Sequence, residues 1–275
     1  MNGSKTGLLA AGVWALTSSV AFAADMPLLE HAPVIEDFGG WYLRGDIGMT
    51  NQQTDRIHNV TMDPANAPGF EFLDSGSFDS GWLFGLGIGY QFNSWLRADL
   101  TGEYRGKTSF RALDRYDEQP DGVWDGENEY TATKSEWLFL ANAYVDLGTW
   151  YGIIPFVGAG IGVADVTIGS YRDANTRLTA PFTDQIAYAG EHSQWNLAWA
   201  LHAGLAYHFS PALTVEFAYR YLSLGDGKSG DVIAGGGANN FNNPTTFHDL
   251  TSHDVKVALR WALGGQEVVP VVRKY

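Results

Sequence analysis

The sequence predicts an all-β chain, an eight-stranded antiparallel transmembrane β-barrel with up-and-down connections. Three observations predict it. Eight segments alternate between an apolar register and a mixed register that carries the charges. No apolar run in the body of the chain approaches the roughly 20 residues a membrane-crossing helix needs. The connections between segments are short and long in turn. Period-two alternation belongs to a strand whose two faces meet different surroundings. The composition agrees, with 33 Gly, 14% aromatic residues and no long helix-period segment.

The N-terminus is set apart from this pattern. Lys5 precedes a mostly apolar run from Gly7 to Leu16, and small residues then lead to Ala21-Phe22-Ala23. That order is the signature of an export signal cut after a small-residue site. Residues 1–23 are therefore expected to be a signal peptide, removed near Ala23-Ala24 after Sec-type export. Residues 24–40 are expected to form a periplasmic linker, 41–263 the barrel, and 264–275 a C-terminal tail.

Charge and cysteine content exclude several functions. Without Lys5 the chain keeps 16 of its 17 Lys+Arg against 31 Asp+Glu, a formal charge of −15. A protein that grips phosphates needs a basic face, so nucleic acid is not an expected partner. With no cysteine, disulfides, thiolate metal sites and cysteine nucleophiles are all ruled out.

The eight segments lie near 41–49, 81–92, 96–105, 136–147, 154–164, 195–209, 213–222 and 254–263. One register runs Trp41, Leu43, Ile47, Met49 in the first segment and Trp82, Phe84, Leu86, Ile88, Tyr90, Phe92 in the second. It ends Val255, Val257, Leu259, Trp261, Leu263, and no charged residue falls in it anywhere. The opposite register holds Arg44, Asp46, Arg97, Asp99, Glu103, Arg105, Glu136, Asp146, Glu216, Arg220, Asp254, Lys256 and Arg260. Six bases nearly balance seven acids, as a salt-bridged barrel interior requires, because unpaired buried charge is costly. Leu83, Leu138 and Leu140 share that inward register.

A soluble sandwich or lipocalin would alternate too, with its apolar face inward. Aromatics and loops decide between them. Trp82, Trp95, Trp137, Trp195, Tyr207, Tyr219 and Trp261 recur near segment ends, where the girdles of a membrane barrel sit. Residues 93–95, 148–153 and 210–212 make three short turns, whereas 50–80, 106–135, 165–194 and 223–253 make four long polar connections. Short periplasmic turns and long external loops are the pattern of bacterial outer-membrane barrels.

Other motifs were weighed for chemistry. Gly85-Leu86-Gly87-Ile88-Gly89 and Gly158-Ala159-Gly160-Ile161-Gly162 lack the strand–turn–helix setting of a dinucleotide loop. Their glycines fall inward, where they make room for long side chains from across the barrel. Residues 117–129 suggest a calcium loop, but Gln119 and Asn128 occupy positions that should be ligands. An acidic solvated loop fits better, with a weak divalent site beside lipopolysaccharide as its functional alternative. His202 and His208 share a face but stand about 20 Å apart along a strand. His58, His192, His248 and His253 lie in or beside separate loops. Glu191-His192-Ser193 has the residue types of a hydrolase without its geometry, since adjacent residues on an extended chain diverge. No nucleophile elbow or metalloprotease motif occurs. The expectation is a protein that is not an enzyme and has no catalytic, metal or cofactor site, its partners being outer-membrane lipid, lipopolysaccharide and small solutes.

The stretch Phe38-Gly39-Gly40-Trp41-Tyr42-Leu43-Arg44-Gly45-Asp46-Ile47-Gly48 resembles the first strand of the opacity-type outer-membrane β-barrel family. The similarity is closest to porin-family surface proteins of rhizobia and related alphaproteobacteria. Pro155 to Gly162 and Ser252 to Trp261 extend it. The resemblance implies a Gram-negative outer-membrane surface protein, porin-like or structural and immunogenic, and in some members haem-binding. The role expected here is structural, with limited diffusion of small solutes. Ligand capture or adhesion by the loops, for example of haem or a host surface, is the alternative, and a lipid-modifying enzyme comes third. A lumen crowded with long side chains fits poorly with a wide pore.

Overall fold

Residues 39–63, 69–237 and 242–264 are described by a computed structural model of the protein. The expected signal peptide lies outside the described residues, as do nearly all of the linker and tail. In chain order the strands are β1 (Gly40–Gln53), β2 (Arg56–His58), β3 (Gly69–Phe78), β4 (Gly81–Gln91), β5 (Leu96–Asp117) and β6 (Gly126–Asp146). They continue with β7 (Ile153–Arg177), β8 (Asp184–Ala189), β9 (His192–His208), β10 (Leu213–Ala234) and β11 (Pro244–Ala262). A 3-10 turn, Val60–Met62, follows β2.

Eight of these strands close a ring. Antiparallel pairing runs β1–β4–β5–β6–β7–β9–β10–β11. β11 then returns to β1 in continuous register, from Tyr42↔Ala262 to Gln53↔Thr251. Closure leaves no ladder edge facing lipid, which a sheet inside a bilayer requires. Each of the eight alternating segments of the sequence falls in its own ring strand. The short turns are made locally. Asn93 accepts backbone N–H bonds from Trp95 and Leu96 through its Oδ1 at 3.0 and 2.8 Å. Gly148, Tyr151 and Gly152 take positive φ in the second turn.

Side-chain register divides the barrel into two storeys. In the lower storey the apolar register faces outward, and Ile47, Leu100 and Leu197 are each more than 60% exposed. Aromatics bound this band at both ends. Trp82, Tyr104, Trp137, Phe139 and Trp195 form a continuous belt with ring centroids 4.9 to 6.5 Å apart. Trp41, Tyr90 and Phe92 lie beside the short turns with Trp95, Tyr207 and Trp261, and the Tyr90 ring touches both Trp41 and Phe92. About ten residues separate the belts along a tilted strand, or roughly 25 Å, the thickness of an outer-membrane apolar band.

Above the upper belt the polarity inverts. The segments read from sequence as long connections are largely strand: β5, β6, β7, β10 and β11 continue past the belt. β3 pairs with β5 beyond the end of β4, and β8 joins β7 to β10 beyond β9. In this crown Phe78, Phe110, Ile168, Leu224, Phe247 and Leu250 point inward and are buried. Lys107, Ser109 and Arg111 point outward. That is the pattern of a soluble barrel, and it disguised the crown in the sequence, because the membrane signature of apolar residues facing outward ends at the belt.

Bulges also shift the phase, and two of them set the cavity wall. The β5–β6 register slips between Arg105 and Thr108, so the inward set changes from Arg97, Asp99, Glu103, Arg105 to Thr108, Phe110, Ala112, Asp114. In β7 the slip falls beside Ser170, which sits at φ 50°. After it Tyr171, Asp173, Asn175 and Arg177 face inward.

Candidate functional site: a filled lumen beneath a crown cavity

All thirteen charged residues of the inward register meet inside the lower storey. The lower cluster centres on Glu216 and Arg44. Arg44 reaches Asp46 and Asp99 at 2.8 Å each. Glu216 lies 3.2 Å from Arg97 and 3.0 Å from Arg260, and Arg97 also meets Asp146. The upper cluster centres on Asp254 and Glu103. Arg105 pairs with Glu136 and Asp254 at 2.8 and 2.9 Å, and Arg220 pairs with Glu103 and Asp254. Lys256 joins the clusters, 3.5 Å from Asp46 and 3.0 Å from Glu103. Lys134, outside the eight segments, completes the set by pairing with Glu136 and lying over the Phe78 ring.

The inward glycines give these side chains their space. A Cβ on Gly89 would collide with the Tyr42 ring, and one on Gly158 with Tyr144. Leu83, Leu138 and Leu140, inward as expected, are also buried. Above the ions, Phe78, Phe110 and Phe247 pack at 5.0 to 5.6 Å between centroids. Two consecutive layers, one ionic and one apolar, therefore fill the interior with almost fully buried side chains.

Over the apolar layer the crown holds an open-mouthed cavity of about 450 Å³. Phe70, Tyr116, Asn128, Tyr130, Asp173, Asn175 and Arg177 line it, with Gln185 to Ala187 on one side. A hydrogen-bond chain fixes its wall. Tyr130 donates to Asp114 Oδ2 at 2.6 Å, and Asn128 donates to Asp114 Oδ1 at 2.8 Å. Asn175 donates to Asn128 Oδ1 and to the Tyr116 hydroxyl, both at 2.8 Å. Arg177 is tied to Glu118 through Nη2 at 3.1 Å. Asp173 Oδ1 and Arg177 Nε are each buried with no hydrogen-bond partner among the described residues.

The electrostatics follow from this burial. Desolvation, with the nearby Asp114 charge, pushes the Asp173 carboxyl up to about 7, and Arg172 only partly opposes it. Desolvation also raises Asp114, against the bonds it accepts from Tyr130 and Asn128. Tyr130 and Tyr171 are held above their ordinary range by burial and by Asp173. Sequence reading missed this wall because Asp114, Asp173 and Asn175 lie in the long connections. Their signal was alternation that resumes one residue out of phase.

The other weighed residues take separate places. Asp117 and Asp121 accept backbone N–H bonds from Gln119, Gly122 and Val123 and so shape the 117–125 turn. Asp125 accepts from Thr179 and from the Glu118 backbone, which lowers its carboxyl. His202 meets Asn142, His208 meets Thr214, His58 meets Asp63, His248 meets Asp226 and His253 meets Tyr219. No group of three His, Asp or Glu gathers at metal distance among the described residues.

A closed eight-stranded ring, lipid-facing outside and ion-paired within, defines the class of integral outer-membrane β-barrels. The family profile of the outer membrane protein beta-barrel domain matches residues 10–264, and the chain belongs to that family. An uncharacterized protein of Brucella abortus is 32% identical over 239 residues, covering 80% of this chain and 82% of its own. A Rickettsia typhi protein named as a candidate adhesin is 28% identical over 255 residues, covering 90% of this chain and 94% of its own. Among solved structures, Neisserial surface protein A aligns with 81% of this chain and 96% of its own at 14% identity and a TM-score of 0.42. The protein is located in the bacterial outer membrane.

Proposed function

We propose that the protein is a closed barrel that anchors a folded recognition crown at the cell surface, acting by binding rather than by catalysis or diffusion. The filled lumen carries this reading. Arg97, Arg105 and Glu216 are 0% exposed, and Phe247 and Leu222 above them are equally buried. A diffusing sugar would have to break both layers, and separating one buried ion pair alone costs about 3–5 kcal/mol. The crown supports the same reading from the other side, since an anchor has no need of a second storey with its own apolar core. The adhesin name borne by the Rickettsia relatives agrees with a surface-binding role. Outer-membrane lipid and lipopolysaccharide are the natural partners of the lower band and its belts.

Liposome swelling tests the proposal. Folded protein reconstituted at high density should admit a small sugar no faster than empty liposomes do. Swelling well above that baseline would restore the diffusion role and make the interior ions a selectivity lining.

A further inference from the structure

We propose that the crown cavity binds a small organic cation, an amine whose ammonium group pairs with Asp173 beside the rings of Tyr116 and Tyr130. This deepens the reading of the crown as the working part of the protein, and rests on it, by naming the chemistry it would take.

The cavity is the right kind of space. Its volume of about 450 Å³ falls within the roughly 300–1,000 Å³ of small-molecule sites. Its wall is fixed in advance, since the Tyr130 and Tyr116 hydroxyls are both committed to the hydrogen-bond chain through Asp114, Asn128 and Asn175. Ligand binding then need not order those side chains, which keeps its entropic cost low.

Charge selects the ligand. A buried acceptor without a donor is costly, and more so when it belongs to a carboxylate. Asp173 Oδ1 is such an acceptor, with the Asp114 carboxylate near enough to oppose its ionisation. Of the neighbouring cations, Arg177 is paired with Glu118 through Nη2, while its Nε is a buried donor without a partner among the described residues. Arg172 stands on the alternate, outward-facing register of the same strand. Asp114, Asp173 and Glu118 together outweigh Arg177, so with these carboxyls ionised the wall keeps a net negative charge. An anion would be repelled there, and a neutral polyol would leave the charge uncompensated. An ammonium group supplies both the missing donor and the missing charge, and aromatic faces add cation–π attraction.

The experiment uses the full chain folded in detergent and titrated calorimetrically at pH 8 with putrescine and, separately, with 1,4-butanediol. The two probes match in length and differ in charge. Saturable binding of putrescine with none of the diol is expected. Asp173→Asn should weaken it at least tenfold, as should Ala234→Trp, which narrows the rim without touching a carboxylate. Asp121→Asn, in the exposed turn, should bind as the parent does. Equal binding of the diol, no binding of putrescine, binding of calcium alone, or indifference to Asp173→Asn in a folded protein would each overturn the proposal. The two-probe comparison needs no variant, so a folding defect in either one leaves it decisive. Putrescine binding is also independent of liposome swelling, so a conducting barrel and an empty crown would be told apart.

Discussion

Arg105 grips Asp254 across the lumen through two parallel bonds, Nη1 to Oδ2 at 2.9 Å and Nη2 to Oδ1 at 3.2 Å. The two residues stand on β5 and β11, strands separated in the ring by β1 and β4. The pair therefore ties wall to wall, not neighbour to neighbour. Its geometry is the two-pronged match of guanidinium and carboxylate that makes Arg the usual partner at such sites.

Removing one side of this contact should cost far more than removing a surface pair. Asp254→Leu leaves Arg105 and Arg220 buried with one anion fewer. The expected loss is about 3–5 kcal/mol, read as a lower urea midpoint for conversion of the compact gel band to the heat-denatured one. Glu129→Gln breaks the exposed Arg111 pair and should cost at most about 1 kcal/mol. Equal midpoints for the two variants would refute the tie.

The lower band is read as lipid-facing, and a single charge tests it. Leu100 is 62% exposed near the middle of the band. Leu100→Arg should lose about 2–4 kcal/mol of folding stability in bilayers and slow insertion. Ser109→Arg, outward on β5 but above the Trp82 belt, should change neither. A well-tolerated Arg at position 100 would mean that this surface is not in lipid.

The Ser170 bulge absorbs one extra residue of β7. Deleting Ser170 should remove the bulge yet leave Asp173 and Asn175 inward, because Ile168 and Tyr171 then stand two residues apart and strict alternation points both into the barrel. The chain has no cysteine, so single Asp173→Cys and Arg172→Cys variants report the two registers cleanly. With or without Ser170, the thiol at position 173 should resist a bulky membrane-impermeant maleimide. The thiol at position 172 should react quickly in both backgrounds, while the barrel still shifts on heating. Fast labelling at position 173 would contradict the inward placement.

What the sequence revealed follows the same division. Trp82, Leu100 and Trp137 announced the lipid face because apolar residues held one unbroken register across each segment. The pairing of Arg44, Glu103, Arg220 and Asp254 inside was legible from their near balance of charge. Asp173 was not legible. Its strand changes phase at Ser170, and its outward neighbours are polar because they meet water. Alternation there reads as an ordinary soluble strand or as a loop. The filling of the lumen was only partly legible, since Phe78, Phe110 and Phe247 come from three connections that only the closed ring brings together.

Protonation of Asp173 gives the crown a pH dependence of definite sign. Its folded carboxyl sits near 7, against an ordinary 3.8, through burial and the charge of Asp114. A carboxyl raised on folding favours the folded state fully below its unfolded value, and that contribution is lost as pH rises through the folded one. Backbone amides of Tyr171 to Arg177 should therefore exchange faster at pH 8 than at pH 6, after correction for intrinsic rates. Asp173→Asn should flatten most of that slope. An amine in the cavity needs the ionised carboxylate, so putrescine should bind more tightly at pH 8 than at pH 6 and slow exchange most where the empty crown is weakest. Corrected exchange that rises toward low pH, or that ignores Asp173→Asn, would show that this carboxyl titrates as an ordinary one.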